Sequence, residues 1–319
     1  MAIKSVGDRP GARLAADVTW ESVAAQAAEA LRQGALQPIA TDYTFIEQAG
    51  VRFVVRYFSA AYQRKTGASS RSPAAPSDKP ADPFLPYEEA LFVADVSETH
   101  LCLFNKYNVL DLHLLIVTRA YEDQDTWLTA RDFEAMWACL GALDGLALYN
   151  AGREAGSSQR HRHLQLIRLP LAPEGLPLPI TPWLDSAESS SPITHLAAFP
   201  FRHAFTRLDL PRDDDPTRAA EAILARYWAM LRAVGLAGDP LSDPWQTGPY
   251  NLLATREWML LVPRARDAYQ AISVNSLGFA GSLFVRDADQ MAVLRAHGPL
   301  ALLRDVCYPL DSPRAAPTR

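Results

Sequence analysis

The sequence predicts an α+β fold, a mainly antiparallel β-sheet flanked by helices. Three observations lead there. Short apolar runs at Leu91 to Val96, His100 to Asn105 and His113 to Thr118, separated by turns, have the pattern of an antiparallel meander. Two longer stretches, Thr129 to Asp144 and Pro216 to Gly235, place apolar residues at helical spacing. Between and after them the chain from His113 to Pro170 reads as strand, helix, strand, loop and strand.

At 319 residues the chain is long enough for one large or two ordinary domains with a substantial core. Its formal net charge of −5 provides no electrostatic footprint for a nucleic acid polymer, so a compact anionic ligand is the better expectation. The three cysteines, Cys102, Cys139 and Cys307, lie far apart and form no C-x-x-C pair. That argues for a reducing compartment and against a disulfide framework. The segment MAIKSVGDRPGARLAADV lacks an unbroken apolar stretch, and no later run reaches membrane-spanning length. A soluble, cytoplasmic protein without membrane partners is expected.

Taken in order, Thr19 to Gly34 predicts a helix, with Thr19 as N-cap, an alanine-rich middle and Gly34 as the stop. Val51 to Phe58 is β-branched and aromatic and predicts a strand. Gln63 to Pro86 gathers Lys, Ser, Ala, Pro and Asp with no large apolar residue before Phe84, the composition of a mobile loop. The three meander strands follow, with Asn105 and Lys106 closing the second and His113 opening the third. His113 by itself reads as structural. In the Thr129 to Asp144 helix, Phe133, Met136, Trp137, Leu140 and Leu143 form the core face and Thr129 the cap. Gly145 ends it, and Leu146 to Tyr149 returns as a strand.

The stretch NAGREAGSSQRHRHLQLIRLP, Asn150 to Pro170, is a Gly- and Ser-containing loop running into alternating residues. In extended chain successive side chains alternate faces, so His161, His163 and Gln165 share one. A neutral imidazole is a good nucleophile toward phosphorus when its other nitrogen donates a hydrogen bond that fixes the tautomer. The adjacent loop offers N–H groups for phosphate oxygens. Gln165 can donate without carrying a titratable proton. A bare H-x-H by itself reads sooner as a metal half-site or as polar residues on a solvated strand face.

The wider pattern N-x-G-x-x-x-G-x-S-Q-x-H-x-H-x-Q resembles the histidine triad superfamily, in its branch of nucleotidyltransferases and phosphorylases with glutamine at the third histidine position. NKYNVLDLHLLIVTR (Asn105 to Arg119), YNLLATREWMLLVPR (Tyr250 to Arg264) and NSLGFAGSLFV (Asn275 to Val285) are similar to the ATP adenylyltransferases, the diadenosine tetraphosphate phosphorylases. The resemblance implies one nucleotidyltransferase domain over 1–319 with a histidine-triad-like catalytic half at 36–170 and a second sheet-and-helix half at 199–310 that completes the nucleotide site. It implies His163 as nucleophile, Gln165 as its neutral partner and His161 beside the substrate as an orienting or packing residue. Gly156, Ser157, Ser158 and Gln159 would line the phosphate-facing loop, with Asn150 holding that loop or touching ribose. Lys65 would reach the polyphosphate, and Asn105 and Lys106 would lie near the phosphates. The family carries proline where this chain has Arg160, and often lysine where it has Arg162; on a strand Arg162 would point away from the site.

In the remainder, Ala172 to Ala198, rich in Pro, Ser and acidic residues, reads as a long surface excursion. Phe199 to Leu208 predicts a strand, Pro216 to Gly235 a helix, and Tyr250 to Thr255 with Trp258 to Pro263 a hairpin. His195 and His203 read as structural. HLLIVTR at His113 to Arg119 is faintly echoed by WMLLVPR at Trp258 to Arg264, hinting at two related halves. Asn275 to Arg286 by itself is a tight turn between strands; the resemblance makes Asn275, Ser282 and Arg286 nucleotide contacts. Helices near Asp287 to Ala296 and Pro299 to Val306 close the chain.

The activity implied is reversible phosphorolysis of diadenosine tetraphosphate (Ap4A) to ADP and ATP through an adenylyl-histidine. The small-molecule partners are then a dinucleoside polyphosphate, ATP, ADP and inorganic phosphate, with no bound cofactor and at most Mg2+ or another divalent cation arriving with the nucleotide. Alternatives with the same H-x-H-x-Q logic are a hexose-1-phosphate uridylyltransferase, a dinucleoside polyphosphate hydrolase and a nucleotide-binding sensor without turnover.

Overall fold

The computed structural model describes residues 12–15, 17–60, 62, 82–187, 191–211 and 214–310. Its helices are α1 (Trp20–Arg32), α2 (Ala130–Ala142), α3 (Thr181–Asp185), α4 (Pro216–Val234), α5 (Ser276–Phe279), α6 (Ala288–His297) and α7 (Pro299–Asp305). The strands are β1 (Thr41–Gln48), β2 (Val51–Phe58), β3 (Phe92–Asp95), β4 (His100–Phe104), β5 (Leu114–Thr118), β6 (Gly145–Ala151), β7 (His163–Arg168), β8 (Ala204–Arg207), β9 (Tyr250–Ala254), β10 (Trp258–Pro263), β11 (Ala268–Tyr269), β12 (Ile272–Ser273) and β13 (Ser282–Val285).

Eight strands form the main sheet in the order β3-β4-β5-β7-β6-β9-β10-β8, every neighbouring pair antiparallel. A smaller sheet, β1-β2-β13, packs across it; β1 and β2 are joined by a tight turn in which Ala49 and Gly50 both take positive φ, the twist a two-residue hairpin requires. The capping reads as expected. Thr19 and Ser22 close a reciprocal box at the start of α1, Thr129 and Asp132 do the same for α2, and Asp215 caps α4, which Gly235 ends in the left-handed region.

Alternation along the central strands divides the apolar residues between two cores. Leu164 and Leu166 of β7, Ala147 and Tyr149 of β6 and Leu252 of β9 face α1, α2 and α4. Leu146, Leu148, Ile167, Leu253 and Leu260 face the small sheet and α3, α5, α6 and α7. A third cluster, Phe84 over Leu101, Leu103, Leu115 and Val117, covers the far end of that second face. Between these two apolar coverings on one face lies the row of His163 and Gln165.

Several expectations are corrected. β1 escaped the sequence reading because TDYTFIEQ is a half-solvated edge strand without clean alternation. The 172–198 stretch is not a surface excursion: Leu178, Ile180, Trp183, Leu184 and Leu196 are buried in the second core, with Trp183 edge-on to Phe53 and Phe199. Its apolar residues are scattered among prolines and serines, so no period betrays them. The strand expected over Phe199 to Leu208 is confined to β8; Phe199 and Phe201 are buried in the approach to it. Gly145 opens β6 instead of ending the helix, and a side chain there would run into the Ile167 carbonyl.

Candidate active site

His163 is the first residue of β7 and lies buried, opposite Val117 of β5. Its Nδ1 lies 2.9 Å from the His161 carbonyl, an acceptor only, so Nδ1 carries the proton and Nε2 the lone pair. Among the described residues Nε2 has no hydrogen-bond partner. Burial, helped by the nearby His161, lowers the His163 pKa to about 4, so the ring is neutral at physiological pH. Phe84 packs edge-on against it at 5.1 Å between ring centres.

Gln124 explains how the strand opens at this point. β6 and β7 pair from Gly145↔Arg168 to Leu148↔Gln165, and beyond that the buried amide of Gln124 takes over from the ladder. The His163 N–H donates to its Oε1 at 2.8 Å, while Nε2 donates to the carbonyls of Asn150 and His163 at 3.0 and 3.3 Å. The wedge satisfies the backbone of both strands where they part and lets the 151–162 loop emerge. Gln124 was missed in the sequence, where it sits in an unremarkable polar turn.

Gln165 stands two residues further along the same face, and its orientation is set by a chain of donors. The Tyr107 N–H donates to Asn105 Oδ1 at 3.3 Å, which leaves Asn105 Nδ2 to donate to His113 Nδ1, also at 3.3 Å. His113 therefore carries its proton on Nε2 and donates it to Gln165 Oε1 at 2.9 Å. The Gln165 NH2 group is thus the end left to face a substrate. Burial lowers the His113 pKa to about 4, which keeps this tautomer neutral. His113 is accordingly more than the lone structural residue its position suggested.

His161, placed by the resemblance beside the substrate, is buried with both ring nitrogens engaged. Nε2 donates to the Thr118 carbonyl at 2.8 Å, and Nδ1 pairs with Asp82 Oδ2 at 2.7 Å. It orients the strand and does not offer an open contact. Arg162 points to the opposite face, as expected, yet is buried there against Asp132 and Glu122.

Asn150 lies next to the end of the opposite strand, its Oδ1 accepting from Asn251 Nδ2 (2.8 Å), Ser276 Oγ (2.6 Å) and the Ser276 N–H (3.0 Å). Its Nδ2 has no partner among the described residues. The following loop turns on Gly152 and Gly156, both with positive φ; a side chain on Gly156 would meet Asn275 Cβ at 2.9 Å. Asn275 is exposed at the cap of α5 and so lies against the loop. Ser157 donates to the Gln159 carbonyl, and Ser158 and Gln159 are exposed.

Other expected contacts are placed less directly. Asn105 acts through His113. Lys106 is held by Glu88, which raises its pKa, and does not present a free cation. Arg160, in place of proline, is exposed and paired with Asp123 at 2.8 Å. Ser282 is buried at the start of β13 beside β2, and Arg286 is exposed just after that strand; neither makes a contact that joins it to His163. Lys65, with 63–81 of the expected mobile loop, lies outside the described residues, whereas Asp82 and Phe84 at the loop's end abut the two histidines. Among the described residues no group of three or more His, Cys, Asp or Glu side chains could hold a metal ion. No helix among them is long and apolar enough to cross a membrane.

The arrangement therefore offers an unprotonated imidazole nitrogen, a neutral amide donor beside it and a glycine-turned loop. The family model described as the Ap4A phosphorylase N-terminal domain matches residues 10–186, and that of the ATP adenylyltransferase C-terminal domain matches 197–309. Diadenosine 5',5'''-P1,P4-tetraphosphate phosphorylase 2 of Saccharomyces cerevisiae is 29% identical over 236 residues, covering 67% of this chain and 71% of that protein. Protein APA1 of the same yeast is 28% identical over 206 residues, 60% of this chain and 63% of its own length. The fold is similar to the crystal structure of yeast Ap4A phosphorylase Apa2 in complex with Ap4A, with a TM-score of 0.72 and 21% identity over 91% of this chain and 97% of that one.

Proposed function

The chain belongs to the Ap4A phosphorylase family, and from that premise we propose that it catalyses the phosphorolysis of Ap4A to ADP and ATP. His163 Nε2 attacks the α-phosphorus, the bond to the polyphosphate oxygen breaks, and ATP leaves. An oxygen of inorganic phosphate then attacks the adenylyl-histidine, the P–N bond breaks, and ADP is released with the imidazole restored. Each half exchanges similar bonds, so the reaction runs both ways.

The observation that carries this reading is the pairing of a His163 held with its Nε2 lone pair free and a Gln165 amide held by His113 as a donor. An amide neither protonates a leaving group nor activates water. A polyphosphate is a weak base that leaves unassisted, and phosphate is already anionic, so positioning and charge stabilisation suffice. The Gln165 NH2 and the loop from Gly152 to Gln159 would donate to the non-bridging oxygens. Asn275 would touch the nucleotide beside the loop, with Lys65, Ser282 and Arg286 as further contacts. A divalent cation would enter on the polyphosphate, and a reducing cytoplasm suits three buried free cysteines.

Product analysis tests the proposal. Ap4A should yield ADP and ATP only when phosphate is supplied, and label from the adenylyl group should be trapped on His163 in its absence. Equal turnover without phosphate would establish a hydrolase instead. Absence of both turnover and label would leave a nucleotide-binding sensor.

A further inference from the structure

The strand order contains a repeat. β5–α2–β6–β7 is laid out as first strand, third, second, and β8–α4–β9–β10 has the same order in mirror sequence, with the two second strands, β6 and β9, abutting. Each of these carries Tyr-Asn, at 149–150 and 250–251, and Asn150 pairs with Asn251 in the ladder. The two asparagines therefore sit at the pseudo-twofold axis. Extending Leu148↔Gln165 by two residues brings His163 opposite Asn150; Val262 stands opposite Asn251. Two residues on from each lie Gln165 and Arg264, so Arg264 occupies in the second half the position that Gln165 occupies in the first.

Arg264 is fully buried. Nη1 donates to Asn251 Oδ1 at 2.6 Å and to the Val274 carbonyl at 2.9 Å, Nη2 to the Arg266 carbonyl at 2.8 Å, and Nε to the Val306 carbonyl at 3.4 Å. None of these four acceptors is a carboxylate, so the charge is solvated mainly by dipoles, with nearby Asp267 adding a lesser Coulombic attraction. Burial lowers its pKa to about 10, which leaves it cationic at neutral pH.

Each amide between this cation and the catalytic row has its orientation dictated by a partner that can only donate. Arg264 claims Asn251 Oδ1, so Asn251 Nδ2 must donate to Asn150 Oδ1 at 2.8 Å. The Ser276 N–H also claims Asn150 Oδ1. That oxygen is drawn toward β9 and α5, and Asn150 Nδ2 is consequently turned back toward β7, on the face of His163 and Gln165.

We propose that Arg264 is a positioning residue for the transfer reaction, its charge delivered to the anionic substrate through Asn251 and Asn150. Aligned dipoles ending on a cation polarise one another, and the terminal Nδ2–H becomes a stronger donor to a phosphate or ribose oxygen. The proposal rests on the phosphorylase reading for the identity of that substrate. The second half thus contributes a fixed positive end to a site whose nucleophile lies in the first.

The test compares Arg264→Met, Arg264→Lys and Asn251→Asp, each measured per folded molecule for Ap4A turnover and for AMP binding by calorimetry. Asn251→Asp keeps a partner for the guanidinium but cancels its charge and removes the donor to Asn150. It should lower kcat by about tenfold, less than the roughly hundredfold or more for outright loss of a transition-state donor. Asn251 Nδ2 also donates to the Ala155 carbonyl at 2.8 Å, so the melting temperature should fall too, and kcat is read per folded molecule. Arg264→Lys should retain more activity than Arg264→Met. Lys and Met variants of equal activity, or wild-type kcat in Asn251→Asp, would overturn the relay. If neither Arg264 variant folds, Asn251→Asp decides alone. Should that variant be unstable as well, the wild-type protein still supplies an answer: its Asn150 side-chain amide resonances should move on adding AMP, and unmoved resonances exclude the relay. A wild-type protein that binds AMP but does not turn over Ap4A would refute the phosphorylase reading, and the AMP affinities would then judge the relay separately.

Discussion

At the scale of single residues, the site depends on imidazoles kept neutral by burial. His163 and His113 in the site, and His203 outside it, each have a pKa lowered to about 4, desolvation being the largest cause. In the unfolded chain a histidine titrates near pH 6.5, so unfolding takes up protons between about pH 6.5 and 4. The stability these groups contribute is complete above that window and is lost as pH falls through it, by up to about 1.4 kcal/mol per pH unit for each. Urea midpoints measured from about pH 7 down to 4.5 should fall accordingly. The rate of adenylyl-enzyme formation, measured at constant folded fraction, should hold down to about pH 5, with its acid limb near 4 and not near 6.5. A limb near 6.5 would mean a solvated nucleophile. The pattern H-x-H-x-Q made His163 and Gln165 legible in the sequence because strand alternation alone places them side by side. Their partners were not, since Gln124 and His113 come from 39 and 52 residues away, as Asp82 comes from 79 to His161, and no local period connects such distances.

At the scale of elements, the loop proposed to face phosphate turns on glycines whose positive φ other residues adopt only with strain. Gly156 has φ +86° and its missing side chain leaves room for Asn275, whereas Gly34, with φ +73°, has nothing within 4 Å. The two positions separate backbone strain from loop placement. Gly34→Ala should cost about 1 kcal/mol in stability and leave kinetics unchanged. Gly156→Ala carries the same strain plus a contact at 2.9 Å, so it should cost more, about 2–3 kcal/mol, and push the loop off the α5 cap. Its KM for phosphate should rise while Gly34→Ala keeps the wild-type value; steady-state kinetics beside thermal melts would show it. Identical kinetics for the two variants would detach the loop from phosphate binding. The glycines could be read from the sequence as turn residues, but the neighbour that makes one of them irreplaceable, Asn275, could not. Elements with caps or strong periods, α1, α2, α4 and the meander, were read nearly to their ends. β1 and the α3 segment were not, because one is half-solvated and the other buries residues without a period.

At the scale of the whole molecule, the repeat suggested by the echo of HLLIVTR in WMLLVPR is present in the strand order but in a different register. The topology matches β10 with β7, not with β5, and the telling similarity is the shorter Tyr-Asn pair at the axis. Two family models divide the chain near residue 190, yet the packing crosses that division throughout. β6 pairs with β9 over five residues, Phe133 of α2 meets Tyr227 of α4 with ring centres 5.2 Å apart, and the guanidinium of Arg256 lies 4.0 Å over Trp137. Gln246 Nε2 of the second half donates to the Tyr149 hydroxyl of the first at 3.3 Å. If the halves came apart, each would expose an unpaired central strand and one side of a helix pair, apolar surface that neither half has another element to cover. Heating should therefore give one cooperative transition, with near- and far-ultraviolet circular dichroism coincident. Residues 1–187 and 191–319 expressed apart should show no cooperative melt, and mixing them should restore both the melt and adenylyl transfer to His163. Two resolved transitions in the intact chain would show that the axis is a contact between finished domains, and Arg264 could then be removed without the first half noticing its loss.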